Sequence, residues 1–215
     1  MPRNSKPVNL ALQGGGAHGA FTWGVLDYIL EDGRLKIAGV SGTSAGAMNA
    51  VALAAGYTRG GPEGARAALD HFWSSVSEGA KSSPLKRTPI DMITGNWGLD
   101  NNPMYHVVDA LSRVASPYQL NPMNINPLRD LLEESIDFEM VRECTAFKLF
   151  ISATNVETGK VQVFPREALT ADMVLASACL PQMYQAVEID GVPYWDGGYM
   201  GNPVLFPFHG ETETD

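Results

Sequence analysis

The chain has 215 residues, 45% of them apolar and 18% charged, which fits one globular domain with a sizeable core and argues against general disorder. Its 15 Lys and Arg against 24 Asp and Glu leave a net charge of −9, so nucleic acid is a poor partner, because neutralising phosphates takes clustered cations. The two cysteines, Cys144 and Cys179, are too few for a disulfide framework or a four-ligand zinc site and read as buried apolar side chains.

Residues 1–7 read as a polar tail without the apolar region of a signal peptide. Val8 to Leu12 reads as a short strand, interrupted by Gly14-Gly15-Gly16. Phe21, Val25, Leu26 and Ile29 then recur at helical spacing until Asp32-Gly33. Ile37 to Val40 is a second strand, followed at once by Ser41-Gly42-Thr43-Ser44-Ala45-Gly46. An Ala-rich helix is predicted from there to about Ala55, with Gly56 as its stop. This apolar stretch is too short to cross a bilayer, so the chain reads as soluble and, by default, cytoplasmic. Strand, turn and helix alternating twice suggest an α/β fold with parallel strands.

Ala68, Leu69, Phe72, Trp73 and Val76 share a helical face, and residues 78–101 read as a long loop. Asn102-Pro103 and Asn126-Pro127 each look like an N-cap followed by Pro in the first turn. Lys148 to Asn155 and Lys160 to Phe164 read as strands around a turn, and Thr170 as the cap of a helix running to about Cys179. Asp190-Gly191 between two short apolar runs predicts a hairpin, whose Pro193 points to an edge or bulged strand. No linker separates a second domain, so residues 8–208 read as one unit and 209–215 as an acidic tail.

Three features carry chemistry. Gly14-x-Gly16-x-x-Gly19, between strand and helix, matches a dinucleotide fingerprint. The acidic residue that should follow the second strand is missing, since that strand runs into Ser41-Gly42. The same turn can aim the amides of Gly14, Gly15, Gly16 and Ala17 at an anion that exists only during reaction. Gly42-Thr43-Ser44-Ala45-Gly46 is a Gly-x-Ser-x-Gly pentapeptide in the strand–turn–helix setting of a nucleophile elbow, which projects Ser44 Oγ. The helix behind it favours developing negative charge. A serine needs a base. Ser44, Asp196 and His209 occur in the order of an α/β-hydrolase triad. Asp196 of the Asp196-Gly197-Gly198 turn is the alternative base, given enough burial beside Tyr194 and Trp195 to raise its pKa.

Asn9 to Gly19, then Gly42 to Gly46, then Asp196-Gly197-Gly198, in this order, resemble the signature blocks of patatin-like phospholipases. Ile151 to Asn155 and Ala176 to Pro181 fit as well, so the resemblance spans about residues 8–206. It implies a three-layer α/β/α sandwich with a mostly parallel sheet, and a lipid acyl hydrolase. Ser44 would be the nucleophile, Asp196 the base, and the amides around Gly15 and Gly16 the oxyanion hole. An acyl-enzyme would form, with no metal or organic cofactor. The family often has Arg or Lys where His18 stands, and relatives usually continue well past the Asp-Gly-Gly block, so the chain reads as a shortened member.

Phospholipids, acylglycerols or simpler esters would be the substrates. Met92, Ile93, Trp97, Leu99, Met104 and Tyr105 are candidates for an acyl pocket or for peripheral contact with a membrane surface. The competing expectations are a nucleotide-binding oxidoreductase and a non-catalytic lipid-binding remnant.

Overall fold

The computed structural model describes residues 5–81, 83–96, 98–212 and 214. Strands β1 (Lys6–Leu12), β2 (Leu35–Gly42) and β3 (Lys148–Asn155) lie side by side and parallel. Strands β4 (Val161–Pro165), β5 (Val187–Ile189) and β6 (Val192–Asp196) join antiparallel. The chain is thus a mixed α/β protein whose central sheet, parallel through β1, β2 and β3, is flanked by helices.

The pairing around β3 positions the site. Residues Lys148 to Ile151 pair with β2, Ala153 to Asn155 with β6, and Phe150 to Thr154 with β4. A strand has two edges, and β4 overlaps both other partners. Strands β2 and β6 therefore share the opposite edge, one after the other. Gly42 pairs with Ile151 and Asp196 with Ala153, so the ends of β2 and β6 meet within two residues of β3.

Helix α1 (Gly19–Asp32) follows the glycine turn, and it buries Leu26 and Leu30 while Phe21 and Val25 stay exposed. Helix α2 (Ala45–Lys81) starts at the serine turn. Its first half buries Ala47, Ala50, Val51, Leu53 and Ala54 completely, because small side chains let a helix lie close on the sheet. The stop expected at Gly56 does not occur. A Cβ there would stand 2.4 Å from the carbonyl oxygen of Gly64, so Gly56 permits two stretches of helix to touch. The break falls at Gly60 and Gly61, ahead of Pro62.

The loop expected over residues 78–101 is partly helical. Helix α2 runs on to Lys81, and α3 (Pro89–Thr94) is closed by a capping box between Thr88 and Asp91. Asn102 and Asn126 cap α4 (Pro103–Val114) and α6 (Pro127–Ser135), as the sequence predicts, with the short α5 (Pro117–Leu120) between them. Thr170 caps α8 (Ala171–Ser177), which follows α7 (Phe138–Glu143) and β4. The Asp190-Gly191 hairpin forms, with both residues at positive φ. Strand β6 is not an edge: it lies between β5 and β3. Pro193 is tolerated because it lies just beyond the last β3 pair, Asn155 with Tyr194, where its carbonyl still accepts from the Val156 N–H at 3.0 Å.

Helix α2 covers the face of β2 on which Gly42 lies, where a Cβ would strike Gly46 and Ala47. The other face carries residues 203–212 and Thr214. Ser41 Oγ donates to the Val204 carbonyl at 2.7 Å, and Phe150 meets Phe208 edge to face. Asn9 Nδ2 donates to the hydroxyls of Thr212 and Thr214, each at 2.8 Å. This strap crosses β1, β2 and β3.

Candidate active site

Ser44 sits between the end of β2 and the start of α2 with φ of 54°. That left-handed conformation costs a non-glycine residue about 1–2 kcal/mol. It is held by surrounding bonds. Ser44 N–H donates to Ser177 Oγ at 2.9 Å, Gly46 N–H to the Thr43 carbonyl at 2.8 Å, and Thr43 N–H to the Leu12 carbonyl at 3.2 Å. Gly46 lies so close to β1 that a Cβ would stand 2.0 Å from the Leu12 oxygen.

Below the turn, Thr43 Oγ1 donates to the Gly201 carbonyl at 3.2 Å and lies 2.6 Å from Ser152 Oγ, which therefore donates to it. This buried pair ties the serine turn to β3 and to the loop after Asp196. Asp196 is fixed from the same side. Its N–H donates to the Cys179 carbonyl at 2.8 Å, and its carbonyl accepts from Thr154 Oγ1 at 2.9 Å.

The Asp196 side chain is 6% exposed. Burial raises its pKa above the ordinary carboxylate value, against the opposing pull of the Gly198 N–H and the Ser44 hydroxyl. Gly198 N–H donates to Oδ1 at 2.7 Å, so the Asp-Gly-Gly turn claims one carboxylate oxygen and leaves the other. The Ser44 hydroxyl is near enough to favour the ionised carboxylate, although no direct Oγ–carboxylate hydrogen bond of ordinary geometry is among those described. Bonds of this kind are commonly long before substrate arrives.

The glycine turn faces the same point. A Cβ on Gly14 would lie 2.7 Å from Ser44 Cβ. The Gly14 N–H donates to Asn202 Oδ1 at 2.6 Å, so it is already engaged. The N–H groups of Gly15, Gly16 and Ala17 have no partner among the described bonds and edge the same cavity. Gly42, Thr43, Ala45 and Gly46 flank Ser44 where β2 passes into α2, and Gly197 and Gly198 follow Asp196 in a short turn.

Ser44 and Asp196 both line a cavity of about 630 Å³, within the usual range for a ligand pocket. Its apolar wall is Met48, Phe72, Trp73, Val76, Leu128 and Leu180. Trp73 is oriented by its indole N–H, which donates to Asn49 Oδ1 at 2.8 Å, while Asn49 Nδ2 donates to the Gly19 carbonyl at 2.9 Å. The acyl-pocket candidates Met92, Ile93, Leu99, Met104 and Tyr105 are not among the lining residues, and Trp97 lies outside the described residues. The wall comes instead from the face of α2 that holds Phe72, Trp73 and Val76, visible in sequence only as a helical stripe.

No histidine is among the described lining residues. His209 caps the short turn Phe206–Phe208 and is exposed. His18 lies in the glycine turn with Nδ1 3.1 Å from the Gly15 carbonyl oxygen, and His106 Nε2 lies 2.6 Å from the Asp100 carbonyl oxygen. Both cysteines are buried and free, and burial pushes the Cys179 thiol up to about 11. Sequence reasoning missed Ser152, Ser177 and Asn202. The first two lie inside stretches it singled out, Ile151 to Asn155 and Ala176 to Pro181, without assigning them a task.

A family model described as patatin-like phospholipase matches residues 10–209. The chain belongs to the patatin-like phospholipase family. Membership supports lipid acyl hydrolysis in general terms. Among solved structures, VipD from Legionella pneumophila is similar at a TM-score of 0.49 and 16% identity, over 94% of this chain and 47% of that one. The chain thus spans about half the length of that protein. A search of the curated proteins gave no match. Among the described residues, no helix is long and apolar enough to cross a membrane.

Proposed function

We propose that this patatin-like chain cleaves fatty-acyl esters with Ser44 as nucleophile and Asp196 as general base, through an acyl-enzyme. The observation that carries the proposal is a strained Ser44 turn opening, together with a buried Asp196, into one apolar cavity edged by free backbone amides.

Ser44 Oγ attacks the ester carbonyl as its proton passes to Asp196. The carbonyl oxygen becomes an oxyanion, held by the amides of Gly15, Gly16 and Ala17. Collapse expels the alcohol, which takes the proton from Asp196 and leaves the acyl group on Ser44. Water then attacks the acyl carbon and gives its proton to Asp196. The second collapse frees the fatty acid and returns the proton to Ser44. Burial moves the Asp196 pKa up from the ordinary carboxylate value, which makes the carboxylate a better proton acceptor for this double role. Its site needs no histidine.

The substrate class follows from the walls and the segments that supply them. The apolar wall of the cavity takes an acyl chain. Of the lining residues, Leu180 and Tyr199 are exposed, as are Met183 and Met200 a few positions on and Tyr118, whose hydroxyl accepts the Ala186 N–H. The segments 115–128, 178–187 and 197–208, each of which supplies lining residues, carry no charged residue, on a chain of net charge −9. Such an uncharged surface fits a zwitterionic lipid better than an anionic one, which the rest of the chain repels.

The test is hydrolysis of nitrophenyl esters of graded chain length and of phosphatidylcholine. Ser44→Ala and Asp196→Asn should each abolish turnover, and His209→Ala should leave most of it. Equal loss in His209→Ala would replace the dyad by a triad. Lipid binding without turnover in the wild type would make the chain a binding protein, and labelling of Ser44 by a fluorophosphonate would argue against the nucleotide alternative.

A further inference from the structure

Asn202 edges the cavity, on the loop that follows the Asp-Gly-Gly turn. Its Oδ1 accepts the Gly14 N–H at 2.6 Å. An N–H can be accepted only by the oxygen of an amide, so this bond fixes which way the side chain is turned. The Nδ2 group is then directed away from Gly14, and it has no partner among the described residues. The site of the first Gly14 side-chain atom would be 3.3 Å from Asn202 Oδ1 and 2.7 Å from Ser44 Cβ. The amide therefore stands beside the nucleophile, next to the backbone donors of Gly15 and Gly16. Asn202 is exposed, so its side chain has one end pinned and the other open at the edge of the cavity, a donor available where negative charge would develop.

We propose that Asn202 is a further catalytic residue, whose Nδ2 donates to the oxyanion while its Oδ1 locks the glycine turn through Gly14. It rests on the assignment of Ser44 and Asp196 above. The two halves of the side chain divide the work: the acceptor sets where the backbone amides stand, and the donor adds to them.

The discriminating variant is Asn202→Asp. It keeps an oxygen to accept the Gly14 N–H but offers no donor when ionised, and it brings a negative charge toward the oxyanion. Loss of one such donor lowers kcat by about 10²–10³-fold. We expect a fall of that order in Asn202→Asp, with KM changed by less than about threefold. Affinity for a long-chain trifluoromethyl ketone, which adds to serine as an oxyanion, should fall by the same factor. Binding of the fatty-acid product should not change. Asn202→Ala, which loses both bonds, should be at least as impaired. A purely structural Asn202 would be rescued by aspartate, so an Asn202→Asp enzyme with wild-type kcat and ketone affinity overturns the proposal. So does an equal weakening of product and ketone binding. If aspartate prevents folding, the same ketone-against-product comparison in Asn202→Ala decides, by the same criterion. A wild type with no Ser44-dependent turnover overturns the underlying assignment instead, and the two failures are distinct.

Discussion

Replacing Gly14 by alanine separates loop placement from side-chain chemistry. The added methyl would stand 2.7 Å from Ser44 Cβ and 3.2 Å from the Thr43 carbonyl oxygen, both parts of the rigid elbow. Ordinary contact begins at 3.4 Å, so the glycine turn must recede by about 0.7 Å. A misplacement near 1 Å costs a reaction roughly 10²-fold, so kcat should fall by about 30–100-fold with KM little changed. Crowding of this kind also costs about 1–3 kcal/mol of stability, at about 2–4 °C of Tm per kcal/mol for a chain this long. Gly33→Ala, in the cap after α1 and away from the cavity, is the control. Nothing lies within 4 Å of its added methyl, but its φ of +66° costs about 1–2 kcal/mol. It should lower Tm while leaving kcat within a few-fold. Nitrophenyl ester kinetics and thermal melts on both variants read the two effects apart. A Gly14→Ala enzyme with wild-type kcat would refute the claim that this turn is held against the serine.

Because burial raises the Asp196 pKa, the folded state holds that proton more tightly than the unfolded chain. Stability from this group is therefore present below the unfolded value and lost as pH rises through the folded one. Asp196→Asn should melt higher than wild type at pH 7, and the gap should close below about pH 4. Wild-type kcat/KM should rise with pH through an inflection above the ordinary carboxylate value, because the base must be ionised. Ser177→Ala, at a fully buried residue, leaves the part-buried Ser44 N–H without its acceptor; it should lose about 1–3 kcal/mol in denaturant titration and lower kcat as well. Gly39→Ala pushes a methyl to 2.8 Å from Thr212 and 3.0 Å from Phe208, so it should lift the strap from the sheet, read as faster carboxypeptidase trimming of the C-terminus. Met123→Glu, at an exposed position of the uncharged segment 115–128, should slow cleavage of phosphatidylcholine vesicles and leave a soluble short-chain ester unaffected.

Local chemistry made much of this legible in advance. Capping asparagines, the Asp-Gly hairpin and the serine pentapeptide each act through the few residues around them, and each appears where the sequence puts it. The family resemblance supplied the order in which the blocks belong together. What stayed hidden depends on contacts across the chain. Gly56 looks like a helix stop until Gly64 is found against it. Pro193 looks like an edge residue until β6 is seen to pair with β3 only from Tyr194 onward. Composition points to Met92, Ile93, Trp97, Leu99, Met104 and Tyr105 for the pocket wall, because it cannot say which apolar stripe turns inward. Asn202 gave no signal at all, since its meaning lies in one bond to Gly14.

The shared edge of β3 has an engineering consequence. Ser44 and Asp196 arrive on separate strands that meet only there, and the turn from Val156 to Gly159 lies on the surface between β3 and β4. A chain severed at that turn yields one fragment bearing Ser44 with its whole docking strand and another bearing Asp196. Neither half holds a complete site, so hydrolysis regained on mixing would serve as a reporter of fragment reunion.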